Sequence, residues 1–320
     1  MAQEEQVRPV DLRFRPRTQA DRYKERATNV GLALRKNPNM LLGVIILIFM
    51  LAAALLANPL STYDPRYLAP NDRLISPLGN EVDSSGPELV LDLDRGYHFF
   101  GTDHLGRDVL ARTLFGSRAS LQVGVFVALG TIMFGTTLGL ISGYHRVLDF
   151  VIMRIADGMM AIPSFLLAIA LMTLLGPSLR NVVIALVISS IPGTTRFVRS
   201  IVLSLREREF VLAARAIGGG PIRIMARHIF PNTIPPVLVL ASFITAGAIL
   251  SEAGLSFLGA GLPSDVPSWG NMMGQGRSFN GIAPWMLFFP GLFLSLTVLG
   301  ANLLGDGLRD TLDPRLRRLQ

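Results

Sequence analysis

The chain alternates between long apolar runs and short polar interruptions. The charge-free run Met40–Leu60 is long enough to cross a hydrocarbon core of ~30 Å at ~1.5 Å per residue. Further runs follow at Ala119–Tyr144, Gly158–Leu179, Asn181–Thr195, Ile234–Leu262 and Ile282–Leu304. This pattern predicts an all-α integral membrane protein with six transmembrane helices. Pro163 is expected to kink the third run, and Gly176-Pro177-Ser178 to turn it into the fourth. The fourth run is short, so Arg180 and Arg196 are expected to snorkel at its ends.

The polar segments divide the chain further. Residues 1–39 form a basic tail, 61–117 an acidic loop, 118–304 a five-helix core and 305–320 a C-terminal tail. A surface helix is expected over Thr18–Arg35. The alternation Glu88–Leu93 hints at a short strand. Within the core, Arg206–Pro236 is a basic interruption with helical spacing. Phe210, Ala213, Ala214 and Ile217 share one predicted face. Gly218, Gly219 and Gly220 break that helix and Pro221 starts another. Ile222, Met225 and Ile229 give the second piece an apolar face, and Pro231 is expected to stop it. The expectation is two short amphipathic helices bent sharply at a membrane surface.

Charge orients this arrangement. The chain is 50% hydrophobic and only 17% charged, with a net charge of +7. Most of the basic residues cluster in the N-terminal tail, the Arg146–Arg154 turn, the stretch around 206–236 and the C-terminal tail. By the positive-inside rule these segments, and both termini, are expected in the cytoplasm. A basic charge confined between apolar runs points to membrane lipid rather than nucleic acid. The long outer loop is acidic. Its carboxylates between Asp83 and Asp94 lack the spacing of an EF-hand and read as a solvated face.

Several chemistries are excluded. There is no cysteine, so no disulfide, thiolate metal site or cysteine nucleophile. Histidines 98, 104, 145 and 228 are scattered, and no metal site or catalytic constellation is predicted. The lysines, Lys24 and Lys36, follow no glycine-rich loop, so no phosphate cradle exists. If ATP drives this protein, another polypeptide binds it.

Three stretches carry a resemblance. Ala213-Ala214, Gly218 and Phe230-Pro231 resemble the EAA loop of permease subunits of binding-protein-dependent ABC importers, with Leu212 where the loop's glutamate usually stands. The phrase GTDHLGRDVLAR, 101–112, resembles the segment before the core in the dipeptide/oligopeptide (DppC/OppC-like) branch. There, Thr102 or Asp103 is expected to cap a short helix. The stretch Gly305–Arg315 resembles that branch's C-terminal signature. The resemblance implies a type I (MetI-like) permease core in a bacterial inner membrane. It implies a second, non-identical permease, two ATP-binding subunits carrying ATP and Mg, and an extracytoplasmic binding protein that delivers a peptide. The chain itself would bind no cofactor and catalyse no bond change. Glu207, Glu209, Ala213, Ala214, Arg215, Gly218 and Pro231 would form the ATPase-coupling set.

The alternatives are a secondary transporter or channel, and a membrane enzyme. The first needs ionisable groups within several spans, and the second a paired constellation at membrane depth. Glu252 is the one carboxylate inside an apolar run. It reads either as reaching outer headgroups or, with Ser256, as part of an outer gate or translocation path. Gly254 and Gly259 are expected to let the helix break there.

Overall fold

The computed structural model describes residues 37–61, 63–80 and 97–312. The expected surface helix, the 88–93 strand, the 83–94 carboxylates and the end of the C-terminal phrase lie outside the described residues. Nine helices order the rest. They are α1 (Pro38–Leu55), α2 (Val109–Tyr144), α3 (Arg146–Met160), α4 (Ser164–Leu175), α5 (Leu179–Leu205), α6 (Glu209–Ala216), α7 (Pro221–Phe257), α8 (Trp269–Gly276) and α9 (Trp285–Leu312). Short helical turns and the two-residue antiparallel strands β1 (Gly79–Asn80) and β2 (Tyr97–His98) complete the described elements.

Five of these helices are long and apolar enough to cross a membrane, and a sixth span exists only if α3 and α4 count as one. The predicted Gly158–Leu179 span is not a single helix. α3 and α4 meet at 86°, because Pro163 lacks an N–H and pushes the residue before it out of the helical region. α3 is amphipathic, with Asp149 and Asp157 on the side that meets α5. α4 is only 12 residues long.

α5 is longer than expected. It runs through Pro192 and past Arg196 and Arg199 to Leu205. Arg196 lies within the helix and not at its end. Its guanidinium donates to Asp157 at 2.5 Å, and Arg199 grips both oxygens of Asp149 at 2.5 and 2.6 Å. Positive charge that looked like the end of a span is neutralised by carboxylates on α3. At the other end, Ser178 caps α5 by accepting the Asn181 N–H, and the Asn181 amide donates to the carbonyls of Leu175 and Gly176.

α2 begins ten residues before the apolar run does. Asp108 caps it, accepting the Ala111 N–H at 2.6 Å. The short helix expected after Thr102 or Asp103 does not form. Asp103 folds the loop on itself instead, accepting the N–H groups of Leu105 and Arg107 and the Arg107 Nε at 2.6 Å. Arg107 and Arg112 both donate to Gln275 of α8. Trp285 donates to the Thr102 carbonyl, and Phe100 stacks on Phe289. The phrase 101–112 is therefore a strap that ties the start of α2 to α8 and α9. Gly106 (φ +76°) is required in it, since a Cβ there would sit 1.7 Å from the Ala69 carbonyl oxygen. Buried against Phe279, the His104 imidazole is held below its ordinary pKa, Asp103 opposing the shift.

Small residues set the central packing. A Cβ on Gly135, Gly139 or Gly143 of α2 would approach side-chain atoms of Thr194, Val198 or Val202 on α5 to 2.6 Å. In lipid, close backbone approach of this kind supplies the helix-helix attraction that burial from water supplies elsewhere. Val123, Val127, Ala168, Val182, Ala185, Ala248 and Leu255 fill the space between α2, α4, α5 and α7. Met50, Leu114, Ile249, Trp269 and Phe293 fill a second cluster under the strap. Ile48, Phe49, Leu129, Phe134 and Phe288 remain exposed, as lipid-facing residues are.

Gly139→Ala should force α2 and α5 apart, because the new methyl meets the Thr195 carbonyl as well as Val198. A loss of about 1–3 kcal/mol is expected, read as a lowered Tm of the detergent-solubilised protein. Gly193→Ala, with no atom within 4 Å of its Cβ, serves as the matched substitution that leaves Tm unchanged or raised.

Candidate functional site

The stretch 206–236 is built as two helices on a glycine turn, with the second helix continuous with a spanning helix. α6 ends in a Schellman motif. The Gly218 N–H donates to Arg215 O and the Gly219 N–H to Ala214 O, both at 3.0 Å. Gly218 carries φ +83° and has open space around it. Its requirement for glycine is thus a matter of backbone handedness and not of crowding.

Pro221 then starts α7, and Pro231 does not stop it. The helix passes through a π-helical turn at Met225–Ile229 and continues past Pro231, Pro235 and Pro236 to Phe257. The wider turn lies just before the three prolines, and such turns relax the close packing of successive carbonyls that a proline ring would strike. Asn232 and Thr233 side chains donate to the carbonyls of His228 and Phe230.

The two helices have different faces from those the spacing predicts. Val211 and Ala214 of α6 and Ile224 and Ile229 of α7 are buried against Val198, Val202 and Val237. Ala214 therefore serves the chain's own packing and is not offered to a partner. Phe210, Leu212, Ala213, Ile217 and Ile222 point outward, Ile217 with 88% of its surface exposed. Glu207, Arg208, Glu209, Arg215, Arg223 and Arg227 are exposed around them, as is Pro231. The result is an apolar patch with a charged rim, carried on a rigid base at the end of α5.

Glu252 lies at the opposite end of α7 and is fully buried. It reaches no headgroup. Its Oε2 accepts from Ser120 of α2 at 3.1 Å, and its Oε1 from Ser256 at 2.8 Å. Ser256 Oγ also accepts the Leu262 N–H at 3.2 Å, and Ser268, which caps α8, lies beside the same carboxylate. The cluster joins α2, α7 and the loop into α8. Gly254 does not break the helix, since it packs against Phe165. The turn comes at Gly259, with φ +81°. Ser256, one helical turn from Glu252, was legible from spacing. Ser120 and Ser268 carry no local signal, because tertiary folding alone brings them in.

Among the described residues no group of three or more His, Asp or Glu side chains could hold a metal ion. Asp103, Arg107 and Arg112 form another buried polar cluster, joined by Gln275 and consumed by the strap.

Comparison with known proteins bears on most of the chain. Residues 135–318 match the family described as binding-protein-dependent transport system inner membrane component. The chain is 47% identical over 284 residues to a probable peptide ABC transporter permease of Sinorhizobium fredii, covering 89% of this chain and 91% of that one. It is 44% identical to the dipeptide transport system permease of Alkalihalophilus pseudofirmus, covering 89% and 88%. It is 41% identical to the glutathione transport system permease of Pectobacterium atrosepticum, covering 89% of each. With more than half of the chain matched by the family and 89% of it aligned to these relatives, the chain belongs to the binding-protein-dependent transport system inner membrane component family, among its peptide ABC transporter permeases.

Proposed function

We propose that this chain forms half of the translocation pathway of an ATP-driven, binding-protein-dependent peptide importer, and that it couples to ATPase subunits through α6 and the glycine turn. The observation that carries the reading is the outward apolar face of Phe210, Leu212, Ala213, Ile217 and Ile222, set on an inward face locked to α5 and α7. An exposed apolar patch with a charged rim suits a protein partner. The basic surroundings favour the cytoplasmic side, where the ATPases would stand, and with it both termini in the cytoplasm of a bacterial inner membrane. Glu207, Glu209, Arg215 and Gly218 belong to this contact as rim charges and turn. Ala214 acts from behind it through packing, and the exposed Pro231 acts through helix geometry.

In this reading two ATP-binding subunits hold ATP and Mg, and a binding protein brings the peptide to the opposite face. A second, different permease completes the path. The relatives named for dipeptide and glutathione transport support a small peptide as cargo. Glu252 and Ser256 act in the outer gate as a buried pin between α2, α7 and α8, without touching the peptide.

Gly218→Val should uncouple hydrolysis from transport, because a β-branched residue at positive φ costs at least ~1–2 kcal/mol and shifts the turn. Peptide uptake should fall in reconstituted vesicles while the chain still reaches the membrane; parental uptake would remove the turn from the mechanism. Ile217→Asp should reduce co-purification of the ATPases, since it places a charge in the centre of the patch. Unchanged co-purification would place the contact elsewhere.

Glu252→Gln keeps the shape of the pin and weakens the charge-assisted bonds from Ser120 and Ser256. Binding-protein-stimulated hydrolysis should change with assembly intact. Parental uptake and hydrolysis together would leave Glu252 a packing residue. The purified transporter should also contain one copy of this chain beside a different permease; a complex with two copies and no other membrane subunit contradicts that arrangement.

A further inference from the structure

We propose that a hydroxyl-lined cavity at mid-membrane depth, between α4, α5 and α7, is the surface over which the peptide main chain passes through this subunit. The proposal rests on the importer reading above and assigns the cargo-facing residues within it. The cavity has a volume of 160 Å³, and Ser164, Phe165, Ser189, Ser190, Gly247 and Ser251 are among its lining residues. Ser189 and Ser190 stand roughly 14 Å along α5 from Arg180 at its outer end, about half of a ~30 Å core.

Three features set this place apart from a packed interior. The hydroxyls of Ser164, Ser190 and Ser251 make no hydrogen bond among the described residues. Such groups are costly in hydrocarbon unless water or a ligand reaches them. The backbone beside them is also open. Pro163 caps α4 without a side-chain bond, so the first-turn N–H groups at Ser164 and Phe165 are free to donate. Pro192 removes the N–H that would have bonded the Ile188 carbonyl. Irregular backbone at such depth persists where it lines a water-filled cavity.

The lining contains no charged side chain. Glu252 follows Ser251 directly, yet its carboxylate is committed to Ser120 and Ser256 and does not line the cavity. Hydroxyls, N–H groups and carbonyls complement the amide N–H and C=O of a peptide in either direction of travel. With no fixed charge, neither an acidic nor a basic cargo side chain is trapped by attraction or turned away. At a liquid share of ~30 Å³ per water, the volume holds roughly five waters. It is the wall of a path, completed by the second permease, and not a closed peptide site.

The absence of cysteine from this chain makes a direct test simple. Ser190→Cys and Ser251→Cys are placed singly in the assembled transporter in membrane vesicles, with Leu129→Cys on the lipid-facing side of α2 for comparison. Each is treated with a positively charged methanethiosulfonate reagent, and labelling is read on this chain alone. Positions 190 and 251 should label at least about tenfold faster than 129, since a charged reagent follows water and not lipid. Their rates should fall when binding protein, ATP and alanine dipeptide or tetrapeptide are supplied. Labelling as slow as at 129, or rates unaffected by peptide while uptake proceeds, overturns the cavity assignment alone. Loss of uptake and of ATPase co-purification in the parental chain would instead overturn the importer reading, and the cavity assignment with it.

Discussion

The contact between α2 and α5 is the constraint on which the rest depends. Gly135, Gly139 and Gly143 let the two backbones approach until Thr194, Val198 and Val202 fill the space their side chains would have taken. α5 is thereby held along its C-terminal half. α6 follows from its C-terminal end, α3 is clipped to it by Asp149 and Asp157, and Ser189 and Ser190 lie near its middle. A looser seam would let each of these move separately.

This arrangement explains how a short amphipathic segment can be mechanically useful. α6 buries Val211 and Ala214 against Val198 and Val202, and α7 adds Ile224 and Ile229 to the same cluster. A force on the outward residues is delivered to two spanning helices at once. α7 carries that connection to Glu252 and Ser120 near its far end, so the two clusters share one continuous helix.

Much of the architecture was legible from apolar runs, because lipid demands long stretches without charge. The errors have a common cause. Arg196 reads as a span end, yet it lies within α5, its charge met by Asp157 of α3, a carboxylate brought near only by folding. In sequence Pro163 reads as a kink and Pro231 as a helix stop. One produces an 86° bend, and the other is absorbed by a preceding π-helical turn, a choice made by the surrounding helices. Glycine spacing located the turn at Gly218 correctly, but apolar spacing on α6 could not decide between two adjacent faces. An eight-residue helix offers too few positions for that.

The shortness of α4 has a consequence for the bilayer itself. Twelve residues rise about 18 Å, little more than half the thickness of the hydrocarbon. Lipid chains packed beside α4 meet no matching apolar wall beneath it, so the membrane there must thin, admit water or give way to another protein. The subunit thus presents the bilayer with a notch on one flank, and the elastic strain of covering that notch with lipid favours filling it with a neighbouring polypeptide.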